Sequence, residues 1–100
     1  MRPSVTSVND KNDCLVVIPA LNESATIGNV VGTLKSAGFN NVLVVNDSSD
    51  DDTVEIAEHA GATVISLLER LGAWGAAQTG LRYAIRKGYN AVITLDADDQ

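Results

Sequence analysis

Cysteine is almost missing from this chain: Cys14 stands alone among 100 residues. A single thiol rules out an intrachain disulfide and argues against structural zinc. At the head of an apolar run it reads as a small buried hydrophobe. Aromatic residues make up only 4% of a chain that is 45% apolar, so any core is built from Val, Ile, Leu and Ala. Basic residues are scarce as well, seven against thirteen acids for a net charge of −6. That balance argues against a nucleic-acid backbone or an anionic membrane as the main partner. It leaves room for a phosphorylated ligand, because a divalent cation can reverse the local sign. No apolar stretch approaches the roughly 20 residues that span a bilayer. The N-terminal MRPSVTSVNDKND lacks an apolar signal core, so residues 1–13 read as a loose, polar tail and the chain is expected to be soluble and cytoplasmic.

What is present is an alternation. Cys14 to Ile18 (CLVVI) is a continuous β-branched run stopped by Pro19, the pattern of a strand covered on both faces. With Asn22 or Ser24 as cap, Ile27, Val30, Val31 and Leu34 follow at helical spacing, and Gly38 ends that helix. Val42 to Val45 is a second strand, and Val54, Ile56, Ala57 and Ala60 mark a short helix closed by Gly61. Thr63 to Leu67 is a third strand. Ala73, Ala76, Ala77, Gly80, Leu81 and Ala84 form a helical stripe of small residues suited to lying close on a sheet. Gly88 ends it, and Ala91 to Leu95 is the fourth strand. Strands and helices joined by short connections predict an α/β fold: a Rossmann-like, open, mainly parallel sheet with flanking helices over residues 14–100.

Open α/β sheets bind ligands beyond the carboxyl ends of their strands, and there the polar residues gather. Pro19-Ala20-Leu21-Asn22-Glu23 follows the first strand, Asn46-Asp47-Ser48-Ser49-Asp50-Asp51-Asp52 the second, and Asp96-Ala97-Asp98-Asp99-Gln100 the fourth. In extended chain, Asp96, Asp98 and Gln100 share a face by their period of two. Hard oxygen ligands in that pattern suit Mg2+ or Mn2+ shared with substrate phosphates. An Asp-rich turn after a strand is the plain alternative.

Four blocks in order decide between them. Val17-Ile18-Pro19-Ala20-Leu21-Asn22-Glu23 resembles the VIPAYNE opening of family 2 glycosyltransferases, and Val44 to Thr53 resembles their VVDDGSTDGT segment. Gly75 to Ala84 is similar to their third block, and Thr94 to Gln100 to the DADGQ form of their metal motif. The closest flavour is the polyprenyl- or dolichol-phosphate sugar transferases. The resemblance implies the nucleotide-binding half of a GT-A fold, truncated after the metal motif. It implies that Pro19, Ala20 and Glu23 line the base and ribose pocket and that Asp47 hydrogen-bonds the base. Asp96 would face ribose and diphosphate, and Asp98, with Gln100 and Asp96, would hold Mg2+ or Mn2+. The implied donor is a UDP- or GDP-linked sugar, the acceptor a lipid phosphate such as polyprenyl phosphate, and the outcome inversion. The intact parent would then work at the cytoplasmic face of a membrane. Four departures stand out. Asn46 replaces the first Asp of the pair and Ser48 a Gly that favours positive φ, both tolerable. Trp74 stands where many relatives carry a Lys and Asp99 replaces a common Gly, and these two bear on which donor is taken. The family's catalytic base lies beyond its metal motif, so these residues by themselves are expected to bind nucleotide without turnover. A truncated sheet also leaves a strand edge open to self-association.

Rival readings are a calcium loop, a dinucleotide site and a non-catalytic nucleotide-binding module. Asp47, Ser49, Asp51 and Glu58 fall at calcium-loop offsets, but Asp52 stands where that loop wants Gly. A dinucleotide-binding domain wants G-x-G-x-x-G after its first strand, where this chain has Pro19 to Glu23.

Overall fold

Residues 14–18 are apolar at every position, so a strand made of them must be covered on both faces. The computed structural model, which describes residues 11–97, does this with helices on either side of one sheet. The elements run β1 (Cys14–Ala20), α1 (Ile27–Ser36), β2 (Val42–Asn46), α2 (Thr53–His59), β3 (Thr63–Ser66), α3 (Gly72–Lys87) and β4 (Ala91–Thr94). The sheet order is β3-β2-β1-β4, with every pairing parallel.

Period-two alternation splits β1 and β2 between two cores. Val16, Ile18, Val42 and Val44 pack with Ile27 and Val31 of α1 and Ala57 of α2. Leu15, Val17, Leu43 and Val45 face Ala76 and Ala84 of α3. Each fully buried Val, Leu or Ile here contributes about 1.5–3 kcal/mol. The small-residue stripe of α3 is what lets it sit on β1. A methyl built on Gly80 would meet Val17, whose Cγ2 lies at 2.9 Å and Cβ at 3.1 Å. Each helix ends in a left-handed glycine: Gly38, Gly61 and Gly88 have φ of 98°, 104° and 84°. After α1, the Gly38 and Phe39 N–H groups return to the Lys35 and Leu34 carbonyls, which closes off the last turn.

Three expectations change. β1 does not stop at Pro19 but runs on to Ala20, with Pro19 paired to Val45. Backbone parity explains the tolerance. Val16 N–H and Ala20 C=O bond on the β2 side, whereas Val17 C=O bonds Leu95 N–H on the β4 side. Pro19 shares the parity of Val17, so its missing N–H faces the side where β4 has already ended at Thr94. α1 begins at Ile27 behind Thr26, with neither Asn22 nor Ser24 as its cap. Residues 11–13, read above as part of the tail, form a short 3-10 turn tied to the body, and residues 1–10 lie outside the described residues. Lys11 Nζ donates to Ala37 O at 2.7 Å, Asn41 Nδ2 to Asn12 O at 2.8 Å, and Asn90 N to Asp13 O at 3.0 Å.

Candidate functional site

Between β1 and β4 the strand order reverses, and a crevice opens outside the strand ends at such a point. A cleft of about 310 Å3 lies there, lined among others by Pro19, Ala20, Glu23, Asp47 and Asp96. All five of the expected nucleotide-sugar residues in the described region therefore meet at one place. Asp98 and Gln100 lie outside the described residues. Among the described residues no three His, Cys, Asp or Glu side chains cluster closely enough to hold a metal ion. Asp96 is the expected metal residue that lies within them, exposed on the cleft wall.

Asp47 is the most tightly held of these residues. It is 3% exposed, and its backbone N–H donates to Ala20 O at 2.8 Å. Its Oδ1 accepts from Leu71 N at 2.7 Å and its Oδ2 from Gly72 N at 2.9 Å. The first turn of a helix has orphan N–H groups and a partial positive charge, so one carboxylate at the tip of β2 anchors the start of α3. Each oxygen retains a lone pair, so the anchor can still accept a hydrogen bond from a ligand. Asn46, where the resemblance leads one to expect Asp, is 6% exposed and uses both ends of its amide. Oδ1 accepts from Ser49 N at 3.0 Å and Nδ2 donates to Ser66 Oγ at 3.1 Å. A carboxylate could meet Ser66 only by accepting from its hydroxyl, and the amide avoids placing a second buried charge beside Asp47.

The loops at the strand tips are lashed to one another. Asn22, with φ of 54°, donates through its N–H to Ser49 Oγ at 2.9 Å and accepts from Asp50 N through Oδ1 at 2.7 Å. Glu23 N donates to Thr53 Oγ1 at 2.9 Å. Thr26 Oγ1 donates to Ala97 O at 2.6 Å, which ties the exit of β4 to the entry of α1. Asp51 accepts from Ser24 N at 3.3 Å and from the Thr53 N–H at 3.0 Å and hydroxyl. The Thr53 hydroxyl is the main reason its carboxyl falls from the ordinary 3.8 to about 2. Asp51 thus takes the first N–H of α2 and braces the loop, while Asp52 at the N-cap makes no side-chain bond to the helix. With Asp47 committed to α3, these acids do not form the calcium loop that their spacing allowed.

Sequence reasoning missed Arg70. The residue lies just past the tip of β3, a position that was the available signal, and it lines the same cleft. The cleft thus holds three carboxylates, Glu23, Asp47 and Asp96, and one guanidinium. A diphosphate close to any of the three would be repelled by about 4 kcal/mol per charge pair at an effective dielectric of 20. Arg70 is the one basic side chain among the lining residues to offset that repulsion.

A parallel sheet of this order, with acid-lined strand tips around its switch point, has the architecture of a Rossmann-like ligand-binding unit. The family model described as glycosyl transferase family 2 matches residues 15–100, and the chain belongs to that family. An uncharacterized protein of Methanocaldococcus jannaschii is 37% identical over 100% of this chain and 42% of its own length. The UDP-N-acetylglucosamine–dolichyl-phosphate N-acetylglucosaminyltransferase of Methanococcus voltae is 31% identical over 85% of this chain and 41% of its own length. Among solved structures, glucosyl-3-phosphoglycerate synthase from Mycobacterium tuberculosis, in complex with Mn2+ and UDP-glucose, superposes with a TM-score of 0.74. It is 28% identical and covers 98% of this chain and 37% of that one. The chain spans about two fifths of the length of these curated relatives. The fold is therefore that of the GT-A glycosyltransferases over the part that this chain covers.

Proposed function

We propose that the cleft binds a nucleoside-diphosphate sugar, and that the whole protein transfers its sugar to a polyprenyl phosphate with inversion. The observation that carries this reading is the meeting of Pro19, Ala20, Glu23, Asp47 and Asp96, from three separate strand tips, around one cleft at the switch point. Asp47 accepts an N–H from the base, and the UDP bound by the structural relative supports a uridine nucleotide in the cleft. Pro19 and Ala20 pack the base and ribose, and Glu23 and Asp96 line the polar side. The three carboxylates supply the hard oxygen chemistry that Mg2+ or Mn2+ prefers. Asp96, with Asp98 and Gln100, would hold the ion. A bound ion would there supply positive charge against the diphosphate leaving group. The Mn2+ in the structural relative supports a divalent ion as the cofactor. The lipid-phosphate acceptor rests on the dolichyl-phosphate relative and on the undecaprenyl-phosphate mannosyltransferase of Micrococcus luteus.

Calorimetric titration with UDP, GDP and NAD, with and without Mn2+, tests the reading. Nucleoside-diphosphate binding that tightens with Mn2+ is expected. Asp98→Ala should abolish the tightening. Asp47→Ala should weaken binding even without metal, by about 10- to 100-fold for a lost hydrogen bond to a charged group. Binding of NAD in preference to UDP and GDP, or unchanged Mn2+ dependence in the Asp98 variant, would overturn it.

A further inference from the structure

The outward face of α3 is apolar, which is unusual for a helix already packed on a sheet. Its inner face, Ala76, Gly80 and Ala84, is buried against β1 and β2. On the outside, Leu71 at its N-cap, Trp74, Leu81 and Ile85 are 52%, 77%, 47% and 71% exposed. With Gln78 between Trp74 and Leu81 they recur at alternating steps of three and four, which lines them up along one side of the helix. At about 100° per residue, Arg82 and Arg86 fall along one flank of that stripe. No helix among the described residues is long and apolar enough to cross a membrane. A helix of this pattern instead suits lying on one.

We propose that this face of α3 docks the protein on an anionic lipid bilayer, with Trp74 at the headgroup boundary and Arg82 and Arg86 on lipid phosphates. Charge complementarity selects this occupant. The net charge of −6 argues against an anionic surface only as an average over the chain. From Arg70 to Leu95 the sequence carries no acid, and of the four basic residues there Arg82 and Arg86 flank the stripe, whereas Arg70 lines the cleft and Lys87 stands over the Tyr83 ring. Trp74 also lines a groove that shares Pro19, Ala73 and Asp96 with the nucleotide cleft. A bilayer at this face would therefore lie at the mouth of the site, where a lipid acceptor has to arrive. The docking itself does not depend on the transferase reading, and its test uses no nucleotide and no acceptor.

Trp74 is the chain's one tryptophan, so its emission reports the face directly. The protein is mixed at low salt with vesicles of phosphatidylcholine alone, or of phosphatidylcholine with phosphatidylglycerol, and then floated. The expected result is solvent-exposed emission in buffer that shifts to the blue with the anionic vesicles, and co-flotation with those alone. Raising the salt should weaken both. Replacing Arg82 and Arg86 together with Gln should lower partitioning roughly 30-fold, about fivefold for each charge, with the circular dichroism unchanged. Leu81→Glu should abolish it. If Leu81→Glu does not fold, the arginine pair decides the matter. Equal binding to both vesicles, or none, would overturn the proposal. So would blue emission in buffer that vesicles do not change, since protein would then cover the face. A concentration-dependent dimer that Leu81→Glu disperses would overturn it as well, because a second copy would be the occupant.

Discussion

Gly80 sets how close α3 lies to β1, and Gly80→Ala measures the cost of separating them. In an exposed helix interior the change gains about 1 kcal/mol of helix propensity. Here the new methyl enters the space of Val17, with Cγ2 at 2.9 Å and Cβ at 3.1 Å. Carbon atoms prefer about 3.5–4.0 Å, so the helix or the central strand must shift by roughly half an ångström or more. Val17 is fully buried in the middle of the sheet, paired with both β2 and β4, and cannot swing away. Overpacking a core of this kind costs about 1–3 kcal/mol, and this contact belongs at the upper end, leaving a net loss of about 2 kcal/mol. For a domain of this size, stable by about 5–15 kcal/mol, that is a large share. Urea unfolding followed by circular dichroism gives the number. Gly32→Ala in α1, where a methyl would meet nothing within 4 Å, is the control and should gain up to about 1 kcal/mol. Val17→Ala clears the obstruction, so the double variant should lose less than the sum of the two single ones. Additive losses, or a Gly80→Ala protein as stable as the parent, would refute the close-packing account. Because the start of α3 is held by Asp47, an outward shift should also weaken nucleotide binding in the same variant.

Two further outcomes follow from the loops. Ser48 sits at φ of 69°, a strained value for a residue with a Cβ. Ser48→Gly should therefore raise urea stability by about 0.5–1 kcal/mol, and a loss would show that the side chain makes up for the strain. Asp51 has its carboxyl lowered in the folded state to about 2 from the ordinary 3.8. Its contribution is thus complete above the unfolded value and disappears as pH falls through the folded one. The stability margin of the parent over Asp51→Ala should be constant from pH 7 to 4 and should shrink between pH 4 and about 2. A margin unchanged at the lowest pH would rule out the Thr53 hydrogen bonds as its cause.

Much of the architecture is legible in the sequence because it is written in short-range pattern. A β-branched run such as Val42 to Val45 can be satisfied only by cover on both faces. A helix that ends in Gly38 or Gly61 needs only its own last turn to stop there. The positions of Pro19, Glu23, Asp47 and Asp96 could be read as strand-tip residues for the same reason, since each follows directly from where its strand ends. Tertiary structure decided the rest. Pro19 remains in β1 because β4 stops one parity step short of its missing N–H, which no property of the CLVVIPA segment reveals. Asp47 became the anchor of α3 because the β2 tip and the Leu71–Gly72 turn meet across the sheet. Arg70 joined the cleft through that same turn. Local chemistry chooses each element and its ends, whereas partners distant in sequence meet only once strand order and register are set. Strand order and register, in turn, are a property of the whole sheet and of no single segment in it.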